Sequence, residues 1–217
     1  MDPNYISIEE HKKALDKAVK AEREKLAAIS MQTILSICQM VEARDNYTFK
    51  HSERVAKYSC LIAKKMGWSS RRIKNLENMA LLHDLGKVCV EDGILHKPSH
   101  LTDDEYMAIK DHTIIGASIL EELSFLPGVS IGAKCHHERY DGTGYPYGLK
   151  GDEIPIEARI ICIADAFDAM NSRRVYSEKS DKNYILRELE AGRGTQFDPV
   201  ILDSFLEVLE EHQYFMS

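Results

Sequence analysis

Apolar residues in this chain recur at helical spacing, and no run alternates with period two. Met31, Ile34, Leu35, Cys38 and Val41 fall three or four positions apart, which lines them along one face of a helix. Start and stop signals repeat the message. Ser7-Ile8-Glu9-Glu10 and Thr102-Asp103-Asp104-Glu105 read as capping boxes, in which a hydroxyl and a carboxylate satisfy the free N–H groups of a first turn. Thr48 predicts the cap of a helix that carries His51, Val55, Tyr58, Ile62 and Met66 before Gly67 stops it. Further helices are predicted from about Ser70 to Leu85, from Thr102 through His112, from the Pro127-Gly128 break into His136, and from about Glu157 to Met170. Asp198 then Pro199 opens the last, with Val200, Leu202, Phe205, Leu206 and Leu209 on its apolar face. The predicted fold class is all-α.

The 217 residues, 44% of them hydrophobic, suffice for one sizeable core. A net charge of −7 excludes non-specific attraction to nucleic acid polymers. An anionic substrate would need local attraction. Five cysteines, Cys38, Cys60, Cys89, Cys135 and Cys162, form no CxxC pair and fit reduced thiols. The start MDPNYISIEEHKK has no apolar signal-peptide core, and no apolar run approaches the ~20 residues of a membrane span. The expectation is a cytoplasmic protein without a span. Residues 1–29 read as a charged helix, a linker or dimerisation element, and residues 30–217 as the main domain. Through that helix the chain is expected to form a homodimer or to join a sensor or receiver domain.

Seven metal-type residues stand in or at the ends of these helices: His51, His83, Asp84, His112, His136, His137 and Asp165. His83-Asp84 lies within MALLHDLGKV and Asp165 within RIICIADAF. A carboxylate buried in such runs is costly unless it is paired or bound to a cation. Any one of these histidines alone fits a satisfied core residue. The set, with two adjacent ligand-type pairs, points to metal. Mixed imidazole and carboxylate donors favour iron, manganese, nickel or zinc over calcium or magnesium. His11, His96, His100 and His212 stand in polar or loop contexts and carry no such reading.

Together, LLHDLGK and HHERYDGTGYP resemble the HD-GYP domain, a branch of the HD phosphohydrolase superfamily, as do RDNYTFKHSERVAKYS, DEYMAIKDHTIIGASIL, IADAFDAM and GTQFDP. The resemblance spans roughly Ser30 to Gln213. It implies an HD-domain helical bundle with a dimetal site in its core, to which the charged N-terminal helix, outside the resemblance, is an addition. It implies hydrolysis of cyclic di-GMP to pGpG, GMP or both, with cyclic GMP-AMP as the alternative substrate. The seven residues above become the ligands, with Asp84 bridging two divalent ions, iron or manganese first and nickel or zinc as alternatives. Lys87 is similar to a lysine that contacts the scissile phosphate. Gly144-Tyr145-Pro146 is the GYP triplet, and Arg174 matches a basic residue that binds substrate. Two cations ~3.5–4 Å apart can hold a bridging water and deliver hydroxide in line to phosphorus.

There are two departures from the family pattern. Tyr47 stands where some members place a third-metal glutamate, which implies two metals here. Ser177-Glu178 precede Lys179 where relatives often carry a second basic contact after the tyrosine matched by Tyr176. Asp141 either orders the loop or supports a ligand. A non-catalytic signalling module and an HD-type mononucleotidase are the rival readings, and the GYP loop argues against the second.

Overall fold

The computed structural model describes residues 8–44, 50–175 and 182–212, with the side chains at 173–175 and 182 outside the description. The proposed caps Ser7 and Thr48, and the departures at Tyr47 and Tyr176 to Lys179, lie outside the described residues. Among the described residues no strand forms; the nearest feature is one isolated bridge between Arg193 and Phe197.

Among the described residues ten α-helices follow in order: α1 (Ile8–Arg44), α2 (His51–Lys65), α3 (Ser70–Leu81), α4 (Asp92–Leu95), α5 (Asp103–Lys110), α6 (His112–Glu121), α7 (Ser130–Cys135), α8 (Ile156–Val175), α9 (Lys182–Ala191) and α10 (Pro199–Glu211). Short 3₁₀ turns cover Leu85–Cys89 and Gly151–Glu153. The chain divides into two compact units, Met1–Ile37 and Cys38–Ser217. In the first unit α1 runs unbroken through Ser30.

One feature of α1 qualifies the expectation: it contains an 18-residue window of mean hydropathy 1.3, a length and composition that membrane spans share with the core helices of soluble proteins and with signal sequences. Ser30, Gln32, Thr33, Ser36 and Gln39 interrupt the apolar run, yet no charge occurs between Lys25 and Glu42. An uninterrupted-run criterion therefore passes over it.

In the second unit α8 is the central element. Ile160, Ile161, Ile163, Ala164 and Phe167 are fully buried, and a helix apolar on nearly every side belongs inside a core. Against it pack α2, α3, α7, α9 and α10. Phe167 meets Tyr58 edge-on at 4.9 Å and Phe205 at 5.0 Å between ring centroids, the arrangement that aromatic quadrupoles favour.

Two of the capping signals, at Thr102 and Asp198, are realised. The Glu105 N–H donates to Thr102 Oγ1 at 3.3 Å, and the Thr102 N–H donates to Glu105 Oε2 at 2.7 Å. Asp198 accepts from the Val200 N–H at 2.9 Å and is also held by Arg159 at 2.7 Å. Two predicted helices are broken, however. α3 stops at Leu81 rather than Leu85, and the helix opened at Thr102 ends at Lys110, so that His112 begins a new one. Helical periodicity runs through both breaks, because the apolar positions stay in register across a single turn. Short α4 and α9 were not signalled.

Candidate metal centre

The chain breaks place the ligand-type side chains. His51 and His112 open α2 and α6, His83-Asp84 follows the end of α3, and His136-His137 follows the end of α7. Only Asp165 sits within a helix, α8. A Cβ on Gly86 would stand 1.9 Å from the His112 carbonyl oxygen and 2.7 Å from the Gly116 nitrogen. Only glycine lets the His83–Lys87 turn lie so close to the first turn of α6, and that approach brings Asp84 to His112.

All seven residues converge in two groups that share one wall. Ligand atoms of Asp84, His112, His136 and His137 lie within 4.8 Å of one another, as do those of His51, His83 and Asp165. Asp84 faces both. Its Oδ1 is 3.4 Å from His112 Nε2 and 3.7 Å from His136 Nε2. Its Oδ2 is 3.5 Å from His83 Nε2 and 3.9 Å from His51 Nε2. His51 Nε2 also stands 3.1 Å from Asp165 Oδ1.

The outer ring nitrogens explain why the inner ones point inward. Nδ1 of His83 lies 2.6 Å from the Ala80 carbonyl, Nδ1 of His112 lies 2.6 Å from that of Ile109, and Nδ1 of His136 lies 2.9 Å from that of Gly132. A carbonyl only accepts, so each Nδ1 carries the proton, and in the neutral ring Nε2 keeps its lone pair. His51 differs, because its Nδ1 meets Asp168 Oδ2 at 2.8 Å. Asp168 is wholly buried and is held by Arg54 Nε at 2.6 Å.

The electrostatics follow this arrangement. Burial pushes His83 down to about 4 and His137 well below the ordinary imidazole value. Burial would also lower His51, but its contacts with Asp165 and Asp168 raise it to about 10. Burial would raise Asp84, yet Lys87 and the surrounding imidazoles hold it well below the ordinary carboxyl value. His83 Nε2 and Asp84 Oδ1 are buried without a hydrogen-bond partner. Inward lone pairs around a shared carboxylate, with two such atoms unmatched, fit divalent cations.

The remaining predicted residues surround this cluster. Lys87 Nζ donates to Asp84 Oδ2 at 2.6 Å. Tyr145 stacks on the His137 ring at 4.8 Å. A Cβ on Gly144 would stand 2.3 Å from the Arg139 nitrogen and 2.6 Å from Glu138 Cα, so the loop folds directly back onto the His136-His137 segment. Pro146 follows through a cis peptide bond. Asp141 orders the loop, accepting from the Thr143 N–H at 2.9 Å and its hydroxyl at 2.6 Å. Arg174 lies on α8 with its side chain outside the description.

Sequence reasoning missed Asp168 and Glu138. Glu138 is 2% exposed. It accepts from the Tyr147 N–H at 2.8 Å and the Leu149 N–H at 3.0 Å, which ties the far arm of the loop to the histidine pair. The available signal for Asp168 was its place three residues after Asp165, on the same helix face.

Comparison with known proteins agrees with this architecture. The HD domain family matches residues 36–201. The cyclic di-GMP phosphodiesterase response regulator RpfG of Xanthomonas campestris pv. campestris is 37% identical over 202 residues, covering 92% of this chain and 53% of that protein. A cyclic di-GMP phosphodiesterase of Thermotoga maritima is 42% identical over 182 residues, covering 82% and 49%. The chain thus spans about half the length of these curated relatives. The crystal structure of V-cGAP3, a cyclic GMP-AMP-specific phosphodiesterase of V. cholerae, superposes with a TM-score of 0.67 at 20% identity, covering 85% of this chain and 49% of that one, and shows the same fold.

Proposed function

The chain belongs to the HD-domain family, in its HD-GYP form, and from that premise we propose that it hydrolyses cyclic di-GMP to pGpG and GMP. The observation that carries the reading is Asp84, whose two oxygens face two separate sets of inward nitrogens beneath the GYP loop. His51, His83 and Asp165 would hold one ion, His112, His136 and His137 the other, with Asp84 between them. Imidazole and carboxylate donors favour iron or manganese, and with Tyr47 in place of a third carboxylate the expected stoichiometry is two.

When bound, such ions lower the pKa of a water and neutralise charge on phosphoryl oxygens. The chain's own residues do the rest. The main-chain carbonyls behind His83, His112 and His136 keep the imidazoles in one tautomer and orientation. Lys87 turns its ammonium from Asp84 to a phosphoryl oxygen as substrate enters. The loop from Gly142 to Pro146 sets Tyr145 over His137, closing one side of the centre against water. Arg174 is expected to contact the substrate. The names and identities of the relatives support this activity, and a cytoplasmic location is proposed with it, since a second messenger of this kind acts inside the cell. The N-terminal helix is proposed to join a second copy or a sensor or receiver domain.

The test is turnover of cyclic di-GMP, cyclic GMP-AMP and mononucleotides by protein of measured metal content. Hydrolysis of cyclic di-GMP, abolished by His83→Ala and by Asp84→Ala, is expected. Preferential hydrolysis of cyclic GMP-AMP would reassign the substrate. Metal-loaded protein that binds cyclic dinucleotides without cutting them would establish a signalling module instead.

A further inference from the structure

A cyclic dinucleotide carries two phosphodiesters and two purines, and the metal centre engages one phosphodiester. The second anion needs a cation of its own, on a protein whose net charge is −7. Several cations near the site are committed: Lys87 to Asp84 at 2.6 Å, Lys97 to Glu105 at 2.6 Å, and Arg139 beside Asp141 at 3.7 Å. Lys110 differs. Among the described residues no carboxylate pairs with it, and its partners are two aromatic faces. Its Nζ stands 4.4 Å from the Tyr106 ring centroid and 5.2 Å from that of Tyr145.

These contacts form a line leading away from the centre. His137 belongs to the ligand group, Tyr145 stacks on His137, Lys110 sits over Tyr145, and Tyr106 lies beyond. Tyr106 is 46% exposed, so part of its side chain is open to solvent beside the ammonium. Tyr106 and Lys110 are four residues apart on α5, on one face of the helix. α5 ends at Lys110, directly before the His112 that enters the centre. The position of the ammonium is thereby tied to that of the metal ligands.

We propose that Lys110 and Tyr106 form a second subsite, which takes the distal phosphodiester and its purine. It rests on the phosphodiesterase reading and deepens it. The ammonium pairs with the phosphate through charge-assisted hydrogen bonds, and the Tyr106 ring stacks on the base without reading its edge. Lys110 thus supplies a second basic contact, the one that the Ser177-Glu178 departure from the family pattern puts in question. Such a site selects for a ligand with two nucleotides over one with a single phosphodiester.

The experiment compares Lys110→Met and Tyr106→Leu with the wild-type holoenzyme on cyclic di-GMP and on bis(p-nitrophenyl) phosphate, which has no distal phosphodiester. Lys110→Met keeps the apolar stem and removes the charge. The expected result is a KM for cyclic di-GMP raised about tenfold, the effect of one charge-assisted contact, with kcat and bis(p-nitrophenyl) phosphate hydrolysis within about twofold. Tyr106→Leu gives a smaller rise of the same kind. An unchanged KM in Lys110→Met, or equal losses on both substrates, overturns the subsite and leaves the phosphodiesterase reading standing. Wild-type holoenzyme that cuts only bis(p-nitrophenyl) phosphate overturns cyclic di-GMP as the substrate. Equilibrium binding of cyclic di-GMP to the same proteins then decides the subsite, weaker binding by Lys110→Met supporting it and equal binding or none refuting it.

Discussion

The two halves of the metal centre share Asp84 but are held in different ways. On the side of His112 and His136, each outer ring nitrogen donates to a main-chain carbonyl, that of Ile109 or Gly132. On the side of His51, the outer nitrogen meets a buried carboxylate, Asp168, which Arg54 neutralises. His83 is the mixed case, carbonyl-held but grouped with His51. A carbonyl cannot be removed by substitution, and it fixes which nitrogen of a neutral ring carries the proton. A carboxylate can be removed, and it draws positive charge onto the imidazole, so His51 sits at about 10, whereas burial pushes His83 down to about 4. The first half is thus fixed by the backbone, and the second is set by side-chain charge.

The largest expected effect comes from removing what the halves share. Asp84→Ala should deplete metal from both and cost about a thousandfold or more in turnover, as loss of a dimetal clamp does. Metal analysis beside turnover checks this, and retention of either ion would show that the halves do not depend on a common carboxylate. Asp168→Asn should act on one half alone. Loss of a carboxylate behind a metal-binding histidine costs about 10–100-fold in affinity, so titration should find one weakened ion and one unchanged. The effect has a pH signature. Burial would raise Asp168, but His51 and Arg54 hold it below the ordinary value of 3.8. Its contribution to stability is therefore present above that value and is lost as the pH falls toward the depressed folded one. The stability gap between wild type and Asp168→Asn, read from denaturant midpoints, should close in acid.

This asymmetry also bears on what the sequence made legible. The seven ligand-type residues could be collected because a buried carboxylate or imidazole conflicts with its apolar neighbours, and that conflict is local to each motif. The all-α class was legible for a similar reason, since the capping box at Thr102 and the Asp198-Pro199 helix start are local chemistry. The partition into halves was not legible, because it depends on which carbonyl stands behind each ring. Those carbonyls come from the breaks after Leu81 and Lys110, where helical periodicity continues across the turn. Glu138 was hidden for another reason. It stands beside the histidine pair as one more polar residue in a turn-rich segment, and its burial arises only when Gly144 folds back against it.

The smaller predictions probe that fold-back, which touches the carbonyl-held half alone. Gly144→Ala places a methyl 2.3 Å from the Arg139 nitrogen, an overlap that costs about 1–3 kcal/mol when the backbone must move. Tyr145 should shift from the His137 ring, raising KM for cyclic di-GMP with both ions retained. Loss of an ion from this variant would mean that the loop holds His137 rather than the substrate.

Glu138→Gln should have the mildest effect. The carboxylate accepts two N–H groups, from Tyr147 and Leu149, and an amide offers only one oxygen. One donor loses its acceptor, at a cost of about 1–3 kcal/mol, and the arm beyond Pro146 loosens while the near arm stays pinned by Gly144. Metal affinity on both sides should match wild type, and KM should rise less than in Gly144→Ala. Glu138→Asp, which keeps both acceptors on a shorter stem, should recover part of the loss. If Glu138→Gln instead weakens an ion in the His137 group, the carbonyl-held half also depends on a side-chain carboxylate, and the contrast between the two halves disappears.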